Sequence, residues 1–170
     1  MYFFTADFHW DHAKIIEYSN RPFSSVEEMN EELIKRHNEV VRKGDIVIYA
    51  GDLTWLKNRK IIQERLISRL KGDLIFLRGS HDRWLSGANQ IWEKMVDGHY
   101  IVVCHYCMRT WARSHYNSWH LFGHSHGRLP PIGKSHDIGV DTHNFYPYSM
   151  DEVIEIMSNR PDNPNLIRRN

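Results

Sequence analysis

A chain of 170 residues that is 41% hydrophobic carries enough apolar matter for one sizeable core and too little for two, so residues 1–170 are expected to form a single domain. With 22 Lys and Arg against 21 Asp and Glu, the formal charge of +1 excludes a global basic field for tight binding of long duplex nucleic acid, and no acidic tail is present to repel nucleotides. Histidine is the outlier at 12 residues, more than packing calls for, which favours metal chemistry.

Tyr2 to Ala6 is a short aromatic and apolar run that predicts a buried strand, with Asp7-Phe8-His9 at its carboxyl end. Met1 leads directly into this run without a basic leader or an extended apolar segment, so neither a secretory signal nor a membrane span is expected. An i, i+2 pair on a strand projects to one side, and Asp7 and His9 are expected to share an ion in that way. Ser24 and Ser25, each followed three residues later by Glu27 and Glu28, predict two capping boxes before a long amphipathic helix that stops at Gly44. Asp45 to Ala50 is a second buried strand and delivers Gly51-Asp52. A helix over about Arg59 to Leu70 leads to the strand Leu74 to Leu77, which delivers Gly79-Ser80-His81-Asp82. The next strand, Tyr100 to Cys104, delivers His105. Cys104 closes that apolar run rather than opening a helix, so Cys104 and Cys107 are expected to be ordinary reduced thiols of a cytoplasmic protein. Tyr106 to Leu121 lacks periodicity and is expected to form a loop or cap beside the site. Trp119 to Phe122 leads into Gly123-His124-Ser125-His126, where two imidazoles one residue apart between glycines require a tight turn. Ser149 to Glu152 predicts a capping box for a last helix to about Met157, with a frayed tail over about 158–170.

Asp7, His9, Asp52, Ser80, His105, His124 and His126 thus come from five loops, each placed after an apolar run. Mixed carboxylate and imidazole donors suit manganese, iron, zinc or nickel rather than calcium. Together with His81 and Asp82, these motifs resemble the calcineurin-like metallophosphoesterase signature over nearly the whole chain, within its small single-domain prokaryotic and phage branch. The resemblance implies an α/β fold, a four-layer α-β-β-α sandwich of two mixed β-sheets flanked by helices, closed by a strand over Ile138 to Asp141. It implies two divalent ions, manganese foremost. One would be held by Asp7, His9, Asp52 and His126, the other by Asp52, Ser80, His105 and His124. It further implies that His81 assists the leaving group and that Asp82 orients His81. One position departs from the family pattern: Ser80 stands where the G-N-H-D box has asparagine, and its shorter, weaker hydroxyl is expected to loosen the second ion. A change introduced to slow turnover and natural variation in metal dependence both fit Ser80.

Trp10, Trp55 and Trp84 each follow a motif within three residues and are expected at the mouth of one cleft, where aromatic faces stack bases. His12, Arg83, Arg109 and Arg113, with Lys57 and Arg59, are the candidates to meet phosphate. The expected activity is phosphodiester hydrolysis on nucleotides or short single-stranded nucleic acid. A small-molecule phosphomonoesterase is the enzymatic alternative, and a catalytically silent nucleotide- or phosphate-binding module is the alternative of another class. A homodimer is compatible with the family resemblance but required by no feature of the sequence.

Overall fold

The computed structural model describes residues 1–167. In chain order the elements are β1 (Tyr2–Thr5), α1 (Lys14–Tyr18), α2 (Val26–Val40), β2 (Ile46–Tyr49), α3 (Arg59–Arg65), β3 (Asp73–Phe76), β4 (Ile91–Val96), β5 (His99–Cys104), β6 (Trp119–Phe122), β7 (Ser135–Asp137), β8 (Tyr148–Ser149) and α4 (Met150–Ser158). They form two mixed four-stranded sheets, in orders β3-β2-β1-β8 and β4-β5-β6-β7, flanked by helices. The first sheet is parallel apart from β8, and the second is parallel apart from β4.

Strict alternation explains how the layers assemble. Phe3, Val47 and Tyr49 turn to one face of the first sheet, where Met29, Leu33 and Ile34 of α2 and Ile62 of α3 cover them. Phe4, Ala6, Ile48 and Ala50 turn to the other face and meet Ile101, Val103, Trp119 and Leu121 of the second sheet, with Val153 and Met157 of α4. The far face of the second sheet is covered by the segment after β5. There the Trp111 ring lies 5.1 Å from His120, and the Arg113 guanidinium sits 4.4 Å over Tyr100. The segment expected beside the site is therefore mostly a lid on this sheet, and of its residues Tyr106 reaches the histidines, 4.8 Å from His124.

Local chemistry starts the helices where the spacing predicts. Ser25 caps α2 by accepting the Glu28 N–H, and Ser149 with Glu152 forms a reciprocal capping box on α4. Ser24 donates its N–H and hydroxyl to the Glu28 carboxylate instead of pairing with Glu27. The closing strand lies earlier than expected, over Ser135–Asp137. Gly139 makes a single bridge to Ala6, and a turn of 3-10 helix begins at Val140. Asp137 sets this turn by accepting the Gly139 N–H. The expected fraying from about 158 does not extend through Asn163, which is buried and donates to the Ser114 and Ser118 carbonyls while accepting the Lys134 N–H. Residues 168–170 of that expected tail lie outside the described residues. Among the described residues no helix is long and apolar enough to cross a membrane.

Candidate metal centre

The two sheets meet so that β1 and β2 of one and β5 and β6 of the other open toward the same place. Asp7, His9 and His126 bring ligand atoms within 4.8 Å of one another, and so do Asp52, His105 and His124. The turns that achieve this are unusual. Asp7, His9, Asp52, His124 and His126 all have left-handed backbone, with φ of 59°, 49°, 54°, 69° and 48°. Asp7 and His9 therefore do not share a side through strand alternation; β1 has ended at Thr5, and positive φ at both residues aims them inward. Such conformations cost on the order of 1–3 kcal/mol each and persist where surrounding contacts impose them. Here the contacts are backbone bonds from Asp7 N–H to the Gly51 carbonyl and from His9 N–H to the Asp52 carbonyl. Gly51 and Gly79 let the two neighbouring loops touch: a Cβ on Gly51 would lie 2.6 Å from Gly79 Cα, and one on Gly79 would lie 2.4 Å from the Asp52 nitrogen.

Asp52 stands between the two sets. Its Oδ2 is 3.7 Å from His9 Nε2, 3.3 Å from His105 Nε2 and 3.9 Å from His81 Nε2. His105 donates through Nδ1 to the Ala50 carbonyl, which leaves Nε2 with a lone pair toward the site. Asp7 accepts the His124 N–H at Oδ2. Among the described residues Asp7 Oδ1, His9 Nε2 and His105 Nε2 are buried without any hydrogen-bond partner. Three buried polar atoms left unpaired in one volume are a penalty that a cation would relieve, and carboxylate with imidazole is a donor set for a divalent transition metal. The site thus fits divalent metal ions.

Electrostatics agree. Complete burial drives the Asp7 carboxyl up to about 7, against the pull of His126 and His105. Burial likewise brings the His9 imidazole down to about 3, against the attraction of Asp52. For Asp52 burial opposes ionisation, but the His105 imidazole and the His81 N–H outweigh it and hold the carboxyl well below the usual carboxylate range. A cation in the pocket would favour the ionised Asp7 and the neutral His9.

Two residues not expected at the site hold this arrangement. Arg21, buried, donates to both Asp141 oxygens at 2.8 and 2.9 Å and to the carbonyls of Asp7 and Phe8 at 2.7 and 2.8 Å. Asp141 accepts from His126 Nδ1 at 2.6 Å, which directs the opposite ring nitrogen away from it. Burial resists the Asp141 charge, yet His126 and Arg21 keep its carboxyl below the ordinary range. Arg21 and Asp141 are 120 residues apart in sequence, so no local spacing signals the pair.

Other expected site residues fall differently. Ser80 is exposed and its hydroxyl donates to Asp52 Oδ2 at 2.9 Å. Asp82 does not orient the His81 ring. Its carboxylate accepts from the nitrogens of Asp52, Leu53 and Gly79 and from the Trp84 indole, which uses its acceptor capacity to tie two loops together. His81 instead stands beside Trp55, ring centres 4.8 Å apart. Trp10 and Trp84, at 2% and 8% exposure, belong to the core and not to the cleft mouth. Trp55, 47% exposed, is at the mouth and stacks on His12 at 4.1 Å. Arg109 and Arg113 line other concavities, neither of which includes any of the metal-type residues. The cleft over the metal residues is about 580 Å³, and its cationic lining is Lys14 and Arg128, which the motifs do not mark. Arg128 is held by its hydrogen bond to the Tyr18 carbonyl.

No family model matches the chain. The uncharacterized protein MJ1445 of Methanocaldococcus jannaschii is 35% identical over 159 residues, covering 89% of this chain and 88% of that protein. Among solved structures, the protein of unknown function AQ665 from Aquifex aeolicus shares the fold, with a TM-score of 0.68 at 20% identity over 92% of this chain and 98% of that one.

Proposed function

We infer that this chain, which belongs to the same family as MJ1445 of Methanocaldococcus jannaschii, is a metallophosphoesterase of the calcineurin-like kind that hydrolyses phosphodiesters of nucleotides or short single strands. The observation that carries this reading is Asp52, one buried carboxylate standing between two sets of metal-type donors. Asp7, His9, Asp52 and His126 would hold one divalent ion and Asp52, His105 and His124 the other, with Ser80 supporting Asp52 through its hydroxyl. Manganese is the first ion to test, and iron, zinc and nickel match the same donors. Two ions so held supply Lewis acidity and make a nucleophile available from water at neutral pH.

The protein's own groups do the rest. His81, with its side chain 41% exposed, reaches the cleft beside Asp52 and can pass a proton to the departing ester oxygen. Lys14 and Arg128 offer charge to non-bridging oxygens, and Trp55 offers a ring face to a base. The preference for diesters rests on this open aromatic and cationic rim.

The test is hydrolysis of bis(p-nitrophenyl) phosphate and p-nitrophenyl phosphate with added manganese, with bound metal counted for the protein, Ser80→Asn and Asp52→Asn. Diester turnover with two ions per chain, and loss of both ions in Asp52→Asn, is the expected result. Preference for the monoester would make the protein a phosphomonoesterase. The position of Ser80, hydrogen-bonded to Asp52, favours one second reading, a nucleotide-binding module; a metal-loaded protein that binds nucleotide without turnover, in Ser80→Asn as well, would support it.

A further inference from the structure

Next to the cleft over the metal residues, and sharing Trp55 and His81 with it, lies a smaller concavity of about 110 Å³ lined by Trp55, Lys57, His81 and Arg83. Its two cations are both exposed, and among the described residues neither side chain has a hydrogen-bond or ion-pair partner. Their positions are nevertheless set by backbone. Arg83 follows His81 in a tight turn closed by its own N–H to the His81 carbonyl at 2.8 Å. Lys57 precedes Asn58, whose side chain caps α3 by accepting the N–H groups of Lys60 and Ile61. Trp55 is stacked on His12, and it and His81 line both concavities. Two unpaired cations lining one hollow next to a metal-type site are suited to an anion.

We propose that Lys57 and Arg83 bind a second phosphate of the substrate, separated from the scissile one by a sugar; this rests on the phosphodiesterase reading above. The spacing follows from the wall between the two concavities. His81 and Trp55, the two residues that line both concavities, form it, with His81 Nε2 3.9 Å from Asp52 Oδ2. Phosphates joined directly, as in a diphosphate, cannot straddle an imidazole, whereas those flanking a nucleoside can. Since His81 is the residue placed to serve the leaving group, the second phosphate belongs to the leaving nucleoside. The substrate class is then an oligonucleotide or dinucleotide with a terminal phosphate, in preference to one without.

Steady-state hydrolysis of the thymidine dinucleotide TpT is compared with that of pTpT and TpTp, using the manganese-loaded protein and its Lys57→Ala/Arg83→Ala variant. The better phosphorylated dinucleotide is expected to show a KM about tenfold below that of TpT in the parent protein, and the advantage is expected to shrink below about twofold in the variant. Equal KM values for all three in the parent protein, with diester turnover intact, would overturn the second-phosphate site and leave the phosphodiesterase reading standing. If no diester is turned over, calorimetric binding of TpT, pTpT and TpTp to the two metal-loaded proteins decides. Tighter binding of a phosphorylated form by the parent alone supports the site, and no difference refutes it.

Discussion

Asp141 shows how a residue expected only as the end of a strand governs a ligand. It holds His126 through Nδ1 and is itself held by Arg21, which also grips the carbonyls of Asp7 and Phe8. Asp141→Asn keeps the shape but removes the charge that turns and polarises the imidazole. Affinity for the ion at Asp7, His9 and His126 should fall about 10- to 100-fold, measured by competition with a chelating dye, while the ion at His105 and His124 stays bound. Equal loss at both positions would place the effect in the fold instead. At this scale the sequence was most informative where residue type alone carries the chemistry: Asp7, His9, Asp52, His105, His124 and His126 all converge. It was least informative where the partner is distant, as for Arg21, or where a tryptophan near a motif packs inward, as Trp10 and Trp84 do.

Among the elements, the loops after β2 and β3 behave as one unit because the Asp82 carboxylate accepts from both. Asp82→Ala would leave three buried N–H groups and the Trp84 indole without an acceptor. A loss of about 3 kcal/mol or more is expected in urea unfolding, together with weaker metal binding. A variant of unchanged stability with a lower kcat alone would instead restore the orienting role for His81. The Ser149 capping box is a milder case; Ser149→Ala should cost about 1 kcal/mol in the same measurement. Strands with apolar runs were legible, as β1, β2, β5 and β6 show. β4 was not, because an edge strand with exposed Ile91 and Met95 and interleaved charges carries no clean alternation. β7 and β8, three and two residues long, are too short to leave a periodic signal.

For the molecule as a whole, acid sensitivity follows from histidines buried away from the centre. Burial brings His37 and His120 each down to about 4, against carbonyl hydrogen bonds that favour the charged form. The unfolded chain titrates at the ordinary value near 6.5, so it takes up protons first as pH falls. Their stabilising effect is complete above pH 6.5 and is lost as pH drops from 6.5 toward 4, on the order of 2–3 kcal/mol for each residue. The fall of the urea midpoint between pH 7 and pH 4.5 should therefore be less steep in His37→Gln and in His120→Gln than in the parent protein, and an unchanged slope in both would show that neither ring is held neutral in the folded state. The convergence of four strand ends has a mechanical counterpart. Asp7, His9 and Asp52 hang from one sheet and His105, His124 and His126 from the other, so cations shared among them would act as rivets through two plates. With EDTA the melting temperature should drop, and amide exchange should quicken first in the loops at this riveted end while the sheet interiors keep their protection. Without its rivets the sandwich would open like a book, hinged on the apolar core between its sheets.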